Sequence, residues 1–215
     1  MMAVAGLVLA CVVAPFDPLI GRVMQGVKLG GDLKREMEFI QQFGAVTSLA
    51  IVAAAIWLLD PTRRRELLRG GAAVLATSAA AFVLKTLIGR PRPRLGDPWG
   101  FCMPWQTYTW NRGDVQVTRH AWEFWQSSSD LWSMPSSHTS AAFVLACVLS
   151  RMYPALRPLV MTIAVIVGVC RVVVGAHYPS DVVIGATLGL MVGSVFVHSL
   201  PRTAKALRSG ACARE

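Results

Sequence analysis

The chain has 215 residues, 54% hydrophobic and only 15% charged, with a mean hydropathy of +0.49. A soluble domain carries about 25% charged residues, so this composition excludes an ordinary water-soluble globule, a disordered chain and a collagen-like one. It points instead to apolar faces turned to lipid. The net charge of +9 comes from 21 Lys and Arg against 12 Asp and Glu. Those basic residues fall between apolar runs rather than in one patch, which argues against nucleic acid and for loop bias, an anionic lipid surface or an anionic substrate.

In chain order, six apolar segments predict six membrane-spanning helices, at roughly 1–15, 43–59, 71–88, 134–150, 159–176 and 182–200. A helix of eighteen residues is about 27 Å long, close to a hydrocarbon core of about 30 Å. No basic stretch precedes the first segment, which argues against a cleaved signal peptide. The expected fold is all-α. It is an antiparallel bundle of six transmembrane helices forming one domain over 1–215, with an extracytoplasmic loop of short helices.

The connecting pieces differ in character. Arg63, Arg64, Arg65 and Arg69 lie between the second and third segments, and Arg151 and Arg157 between the fourth and fifth. Arg202, Lys205, Arg208 and Arg214 crowd the tail. With six alternating spans these pieces share one side with the N-terminus, and the positive-inside rule makes it cytoplasmic. The other side holds 16–42 and a long loop, 89–133, with six of the seven tryptophans: Trp99, Trp105, Trp110, Trp122, Trp125 and Trp132. Trp122, Trp125 and Trp132 follow helical spacing, and amphipathic rings of this kind favour the headgroup region.

Five cysteines make no disulfide framework: Cys11, Cys147 and Cys170 lie in apolar runs, Cys212 in the tail and Cys102 in a polar loop. No CxxC or Cys/His spacing suggests a metal, and no cofactor is expected.

The ionisable residues that apolar spans should not tolerate carry the functional signal. Lys85 lies near the end of the third segment, followed by Gly89-Arg90-Pro91-Arg92-Pro93; Pro135-Ser136-Ser137-His138 opens the fourth. Arg171 closes the fifth, and His177-Tyr178-Pro179-Ser180-Asp181 crosses the turn into the sixth. Alternating spans bring all of these to one membrane face, opposite the basic loops. Lys85, Arg92 and Arg171 can hold an anion, Arg by its fork and Lys as a point charge. The free N–H groups at Ser136, Ser137 and His138 add the electropositive start of a helix. Asp181, four residues after His177, can take a hydrogen bond from one ring nitrogen and leave the other as nucleophile, with His138 free to protonate a leaving oxygen. His120 and His198 lack such company and are expected to be structural, and Arg90 and Arg94 to be solvated or in contact with headgroups.

These residues resemble the three-part signature of the type 2 phosphatidic acid phosphatase superfamily, the integral-membrane lipid phosphate phosphatases: Lys-x6-Arg-Pro, Pro-Ser-Gly-His and Ser-Arg-x5-His-x3-Asp. Here Lys85 precedes Arg92-Pro93 by the same spacing, Pro135 to His138 matches except that Ser137 replaces Gly, and Arg171, His177 and Asp181 match with Cys170 in place of Ser. The resemblance implies metal-independent hydrolysis of a phosphomonoester or diphosphate on a membrane lipid. His177 would form a phosphohistidine, Asp181 would orient it and His138 would protonate the departing oxygen. Lys85, Arg92, Arg171, Ser136 and Ser137 would hold the phosphoryl oxygens. The expected partners are a lipid phosphate and the bilayer, with no nucleic acid, and the expected location is a bacterial inner membrane with the site facing the periplasm or exterior. Two readings compete: a phosphotransferase passing the group to another acceptor, and a non-catalytic lipid-binding membrane protein. The soluble vanadate-dependent haloperoxidases, which share the motifs, conflict with the apolar spans.

Overall fold

The computed structural model describes residues 1–27, 29–125 and 129–199, the last three without their side chains. The protein is mostly helical. Its helices are α1 (Met2–Val13), α2 (Asp17–Gly26), α3 (Gly31–Gln41), α4 (Val46–Leu59), α5 (Arg64–Ile88), α6 (Ser137–Met152), α7 (Arg157–Val173) and α8 (Pro179–Ser199). Among the described residues, four stretches are long and apolar enough to cross a membrane: Met2–Gly26, Pro61–Leu95, Pro154–Val173 and Pro179–Phe196. A fifth exists if α3 and α4, bent by 57° at Ala45, count as one span. The first span runs past the predicted 15, because Pro at the first turn of α2 continues the helix rather than ending it. The predicted fourth span is the 16-residue α6, which is short for a full crossing.

α6 is the centre of the protein. Ala142, Val144, Ala146 and Met152 are fully sequestered, and the main core gathers around them from α4, α5, α7 and α8. The lipid-facing helices instead expose large apolar side chains, such as Leu75 at 72% and Val195 at 70%, the inverse of a soluble bundle. α8 approaches α6 along Gly185, Gly189 and Gly193. An added Cβ would lie 2.6 Å from the Ser136 carbonyl oxygen at Gly185 and 2.4 Å from that of Ser140 at Gly189. This small-residue stripe lets the two backbones meet as in other membrane bundles.

Among its described residues the 89–133 loop contains one short 3-10 turn, Pro93–Leu95, and an antiparallel hairpin of β1 (Tyr108–Arg112) and β2 (Val115–Arg119) rather than the expected short helices. The alternating Tyr-Thr-Trp and Val-Gln-Val-Thr runs flanking Gly113, which has a positive φ of 64°, carry a period of two that explains the difference. Trp122 and Trp125 therefore lie on turns, not on a helix face. Trp132 and Trp110 pack on a small core of Cys102, Ala121 and Leu131, so Cys102 is buried rather than left in a polar loop. Trp99, Trp105, Trp122 and Trp125 remain exposed. Cys212 and the four basic tail residues lie outside the described residues, as does the side chain of His198.

Candidate active site

Two helix ends and two turns assemble the site. α5 stops at Gly89, whose φ of 57° is left-handed and whose N–H bonds the Lys85 carbonyl at 2.9 Å. A side chain there would strike the Cys102 carbonyl oxygen, so only Gly lets the loop close over the helix end. α7 ends in a Schellman turn: Gly175, at φ 67°, donates to the Val172 carbonyl at 2.9 Å and Ala176 to that of Arg171 at 3.1 Å. The His177 N–H also reaches the Arg171 carbonyl, at 3.2 Å. The five residues between Arg171 and His177 are thus the length of one tight reversal. Pro179 then starts α8, and the Asp181 carboxylate reaches back to accept from the Tyr178 N–H at 2.9 Å, one half of a capping box.

The segment 129–133 draws the signature residues together. The Trp132 carbonyl accepts from Lys85 Nζ at 2.6 Å and the Ser129 carbonyl from Arg92 Nε at 2.9 Å. The Ser133 carbonyl accepts from His177 Nδ1 at 2.7 Å. Backbone bonds from Arg92 N–H to the Asp130 carbonyl and from Ser133 N–H to the Arg90 carbonyl lock the strap onto the Arg-Pro run. Arg171 is held from α3, its Nη1 2.5 Å from Gln41 Oε1, with Gln41 itself buried. Lys85, Arg92 and Arg171 all lie within electrostatic reach of His138, and Lys85 and Arg92 within reach of His177. The residues nominated from the sequence are therefore brought to one end of the helices.

Several expectations need correcting. His177 bonds Ser133, not Asp181, whose nearer oxygen stands 3.8 Å from Nδ1. The reason is that His177 precedes α8, so the i,i+4 spacing does not stack the two side chains on one face. Asp181 instead takes Arg90 Nη1 at 2.6 Å, Ser133 Oγ at 2.5 Å and the Tyr178 N–H. Arg90 is not solvated but 1% exposed. Arg94 is exposed and paired with Asp130. The Ser136 N–H is not free to cradle an anion, because it donates to the Asp181 carbonyl at 3.1 Å. The first bond within α6 runs from Ser140 N–H to the Ser136 carbonyl, so the amides of Ser137, His138 and Thr139 still belong to the electropositive first turn. Ser137 in place of Gly is unstrained: only glycines have positive φ among the described residues. Cys170 is buried at 3% exposure. His120 is structural as expected, its Nδ1 2.8 Å from the Gln106 carbonyl and its ring stacked on Trp122.

Ser133, Asp17 and Gln41 were not found by sequence reasoning. Ser133 stands two residues before Pro135, but nothing in a Ser next to a Trp announces a carbonyl acceptor. Asp17 and Gln41 act across 163 and 130 residues of sequence respectively.

Burial pushes the His177 imidazole down to about 3, Lys85 and Arg92 adding to the effect and Asp181 opposing it. It is neutral at physiological pH, and with Nδ1–H committed to Ser133 the lone pair is on Nε2. A cavity of about 530 Å³ opens beside Arg92, Gly175 and Ala176, its wall mixing Gln25, Lys34 and Arg94 with Met24, Val27 and Leu29. Among the described residues no group of three or more His, Cys, Asp or Glu could hold a metal ion.

The family model of the PAP2 superfamily matches residues 66–205. The chain belongs to the PAP2 superfamily. This PAP2 protein is 30% identical over 135 residues to the decaprenylphosphoryl-5-phosphoribose phosphatase of Mycobacterium tuberculosis, covering 63% of this chain and 62% of that protein. It is 37% identical over 57 residues to the lipid A 1-phosphatase of Rhizobium etli, covering 26% and 25% respectively. The chain thus spans less than two thirds of the length of these curated relatives. Its fold is that of the PAP2-type phosphatidylglycerolphosphate phosphatase from Bacillus subtilis, with a TM-score of 0.63, 21% identity, and coverage of 94% of this chain and 96% of that one. LpxE from Aquifex aeolicus gives a TM-score of 0.61 at 18% identity, covering 85% and 95%.

Proposed function

We propose that this PAP2 protein is an integral-membrane phosphatase that removes a phosphate from a lipid phosphomonoester or diphosphate. The observation that carries the reading is the neutral, oriented His177, its Nε2 lone pair unused, set among three cations and a second histidine. His177 Nε2 attacks phosphorus, forming a P–N bond as the P–O bond to the lipid breaks. Protonated His138 gives its proton to the departing oxygen. Neutral His138 then takes a proton from water, whose oxygen attacks phosphorus; the P–N bond breaks and inorganic phosphate leaves. The bound dianion supplies the counter-charge that a protonated His138 needs among Lys85, Arg92 and Arg171.

Those cations, with the amides of Ser137 and His138 and the Ser136 side chain beside them, stabilise charge on the equatorial oxygens. Phosphoryl transfer depends mostly on positioning and electrostatics, so a fixed cationic cradle takes the part played by metal ions elsewhere. Arg171 Nε is buried with no hydrogen-bond partner among the described residues, a donor suited to a phosphoryl oxygen. The named relatives, each a phosphatase of a lipid-linked phosphate, support this substrate class. The cavity beside Arg92 is the route for the rest of the lipid, its mixed wall suited to the junction of headgroup and chain. In this reading α6 also crosses, as the fourth of six spans, and the basic Arg63–Arg69 and Arg151–Arg157 loops lie in the cytoplasm. The site then faces the periplasmic side of an inner membrane.

The deciding experiment is phosphate release from purified lipid phosphates in detergent containing EDTA. Wild type is expected to release phosphate without any acceptor and His177→Ala is expected to release none. A His177→Ala protein as fast as wild type rejects the nucleophile.

A further inference from the structure

The signature does not account for a second buried charge cluster beneath the nucleophile. Arg90 is 1% exposed and Asp17 and Asp181 are fully buried. The guanidinium bridges the two carboxylates, Nη2 2.8 Å from Asp17 Oδ2 and Nη1 2.6 Å from Asp181 Oδ1. Nη1 also donates to Ser180 Oγ at 2.7 Å, and that hydroxyl donates in turn to Asp17 Oδ2. The Ser180 N–H reaches Asp17 Oδ1 at 3.1 Å. The Pro98 carbonyl takes a further Arg90 bond at 2.6 Å, and the Tyr178 ring lies under the guanidinium at 4.5 Å. Asp17 opens α2 and stands outside the 66–205 stretch shared with the family. Two segments distant in sequence, the start of α2 and the loop after α5, are thereby tied to the turn that carries His177.

We propose that Arg90 and Asp17 are positioning residues for the nucleophile: they clamp Asp181 and balance its charge, and so hold the turn that fixes His177 on Ser133. The proposal rests on the reading of His177 as the nucleophile. Its physical logic is charge counting in a site that excludes water. Two carboxylates share one guanidinium, leaving a net charge of −1 in the cluster below the imidazole. Burying that many charges is costly unless each is paired, and the fork geometry of Arg satisfies both partners at once. Removing the guanidinium leaves −2 close to His177 and favours imidazolium. Removing the Asp17 charge leaves zero and disfavours it. The charged and titratable groups facing His177 from its neighbours are Lys85 on α5, Arg92 on the strap-bound loop and Asp181 on α8. His138 on α6 and Arg171 on α7 complete the ring of charge around the phosphoryl site. All of these are unchanged in the variants below.

The test uses the full-length protein in detergent, with Arg90→Met, Arg90→Lys and Asp17→Asn, reading kcat, KM and the acid limb of kcat/KM. Trapping of acid-quenched phosphoenzyme in wild type and in His177→Ala runs alongside. Arg90→Met is expected to move the acid limb upward by a pH unit or more. Arg90→Lys, which keeps the charge but not the fork, is expected to return the limb to within half a unit of wild type while kcat stays at least tenfold low. Asp17→Asn is expected to lower kcat about tenfold with KM unchanged and no upward shift of the limb. A purely structural role would lower the folded fraction without moving any limb. If Arg90→Met does not fold, Arg90→Lys and Asp17→Asn decide the matter: wild-type kcat in both overturns the proposal. An equal upward shift in Arg90→Met and Asp17→Asn also overturns it, because charge balance requires the two to differ. Phosphoenzyme present in wild type with these variants unaltered removes the positioning role alone. Phosphoenzyme absent, with His177→Ala active, removes the nucleophile and this proposal with it.

Discussion

His177 donates its Nδ1 proton to the main-chain carbonyl of Ser133 at 2.7 Å. A carbonyl cannot be protonated or withdrawn by pH, so it fixes the tautomer more rigidly than a carboxylate would. Asp181 is thereby freed for structure: it caps α8, holds the Ser133 hydroxyl and pairs with Arg90. Asp181→Asn should therefore destabilise as well as inactivate. Breaking a buried charge pair costs about 3–5 kcal/mol. Thermal unfolding in detergent checks this, with a drop comparable to that of Asp181→Ala expected. An Asn variant as stable as wild type would contradict it.

The folded protein withholds a proton from His177 down to about pH 3, against an ordinary value of 6.5. The unfolded chain takes up that proton first, so stability held above pH 6.5 is lost progressively as pH falls from 6.5 towards 3. Between pH 6.5 and 5 the group contributes a loss of about 2 kcal/mol. His177→Gln should unfold with a shallower pH dependence over that interval. With His177 as the proposed nucleophile, the same depression predicts that acid-quenched phosphoenzyme can still be trapped at pH 5, where an exposed imidazole would be mostly protonated.

Arg171 aims one nitrogen at Gln41 and keeps another buried without a partner among the described residues. Arg171→Ala should lower kcat by 100-fold or more, about 3 kcal/mol of transition-state stabilisation. Gln41→Leu, which leaves the cation but frees its direction, should cost roughly tenfold. Steady-state phosphate release measures both, and a loss below tenfold for Arg171→Ala would show that it does not touch the phosphoryl group.

α8 can carry no side chain at Gly189, where a Cβ would stand 2.4 Å from the Ser140 carbonyl oxygen. Gly189→Val should force α8 off α6, separate His138 from His177 and abolish both activity and a monodisperse elution profile. Gly71, with nothing within 4 Å of the added atom, serves as the control: Gly71→Ala should elute and turn over like wild type.

The exposed Trp125, at 62%, extends an aromatic surface that runs from Phe82 of α5 through Phe124, with ring centroids 5.8 and 5.2 Å apart, and Trp105 stands 77% exposed on the same loop. If this edge sits among headgroups, bromine-labelled lipids with the label near the interface should quench tryptophan fluorescence more than deep labels do. Trp105→Ser with Trp125→Ser should raise KM for lipid in vesicles and leave kcat on a short-chain ester unchanged.

Composition and the placement of charge were enough, without coordinates, to announce a membrane protein. Apolar runs as long as a hydrocarbon core have few other uses, and Lys, Arg, His and Asp at their ends are too costly to be incidental. Counting alternate spans also brought Lys85, Arg92, His138, Arg171 and His177 to one end, because a helix that spans a bilayer has only two ends to offer. What pattern could not show was partnership. The carbonyls of Ser129, Trp132 and Ser133 belong to the backbone and leave no trace in residue type, yet they orient Arg92, Lys85 and His177. Arg90 and Arg92 look alike in an Arg-Pro-Arg-Pro run. Only the arrival of Asp17 from the far end of the chain makes one a buried strut and leaves the other facing the cavity. Local sequence encodes which groups are present and at which end of the helices; the choice of partner among them is made by long-range packing, where geometry decides which charges can be desolvated together.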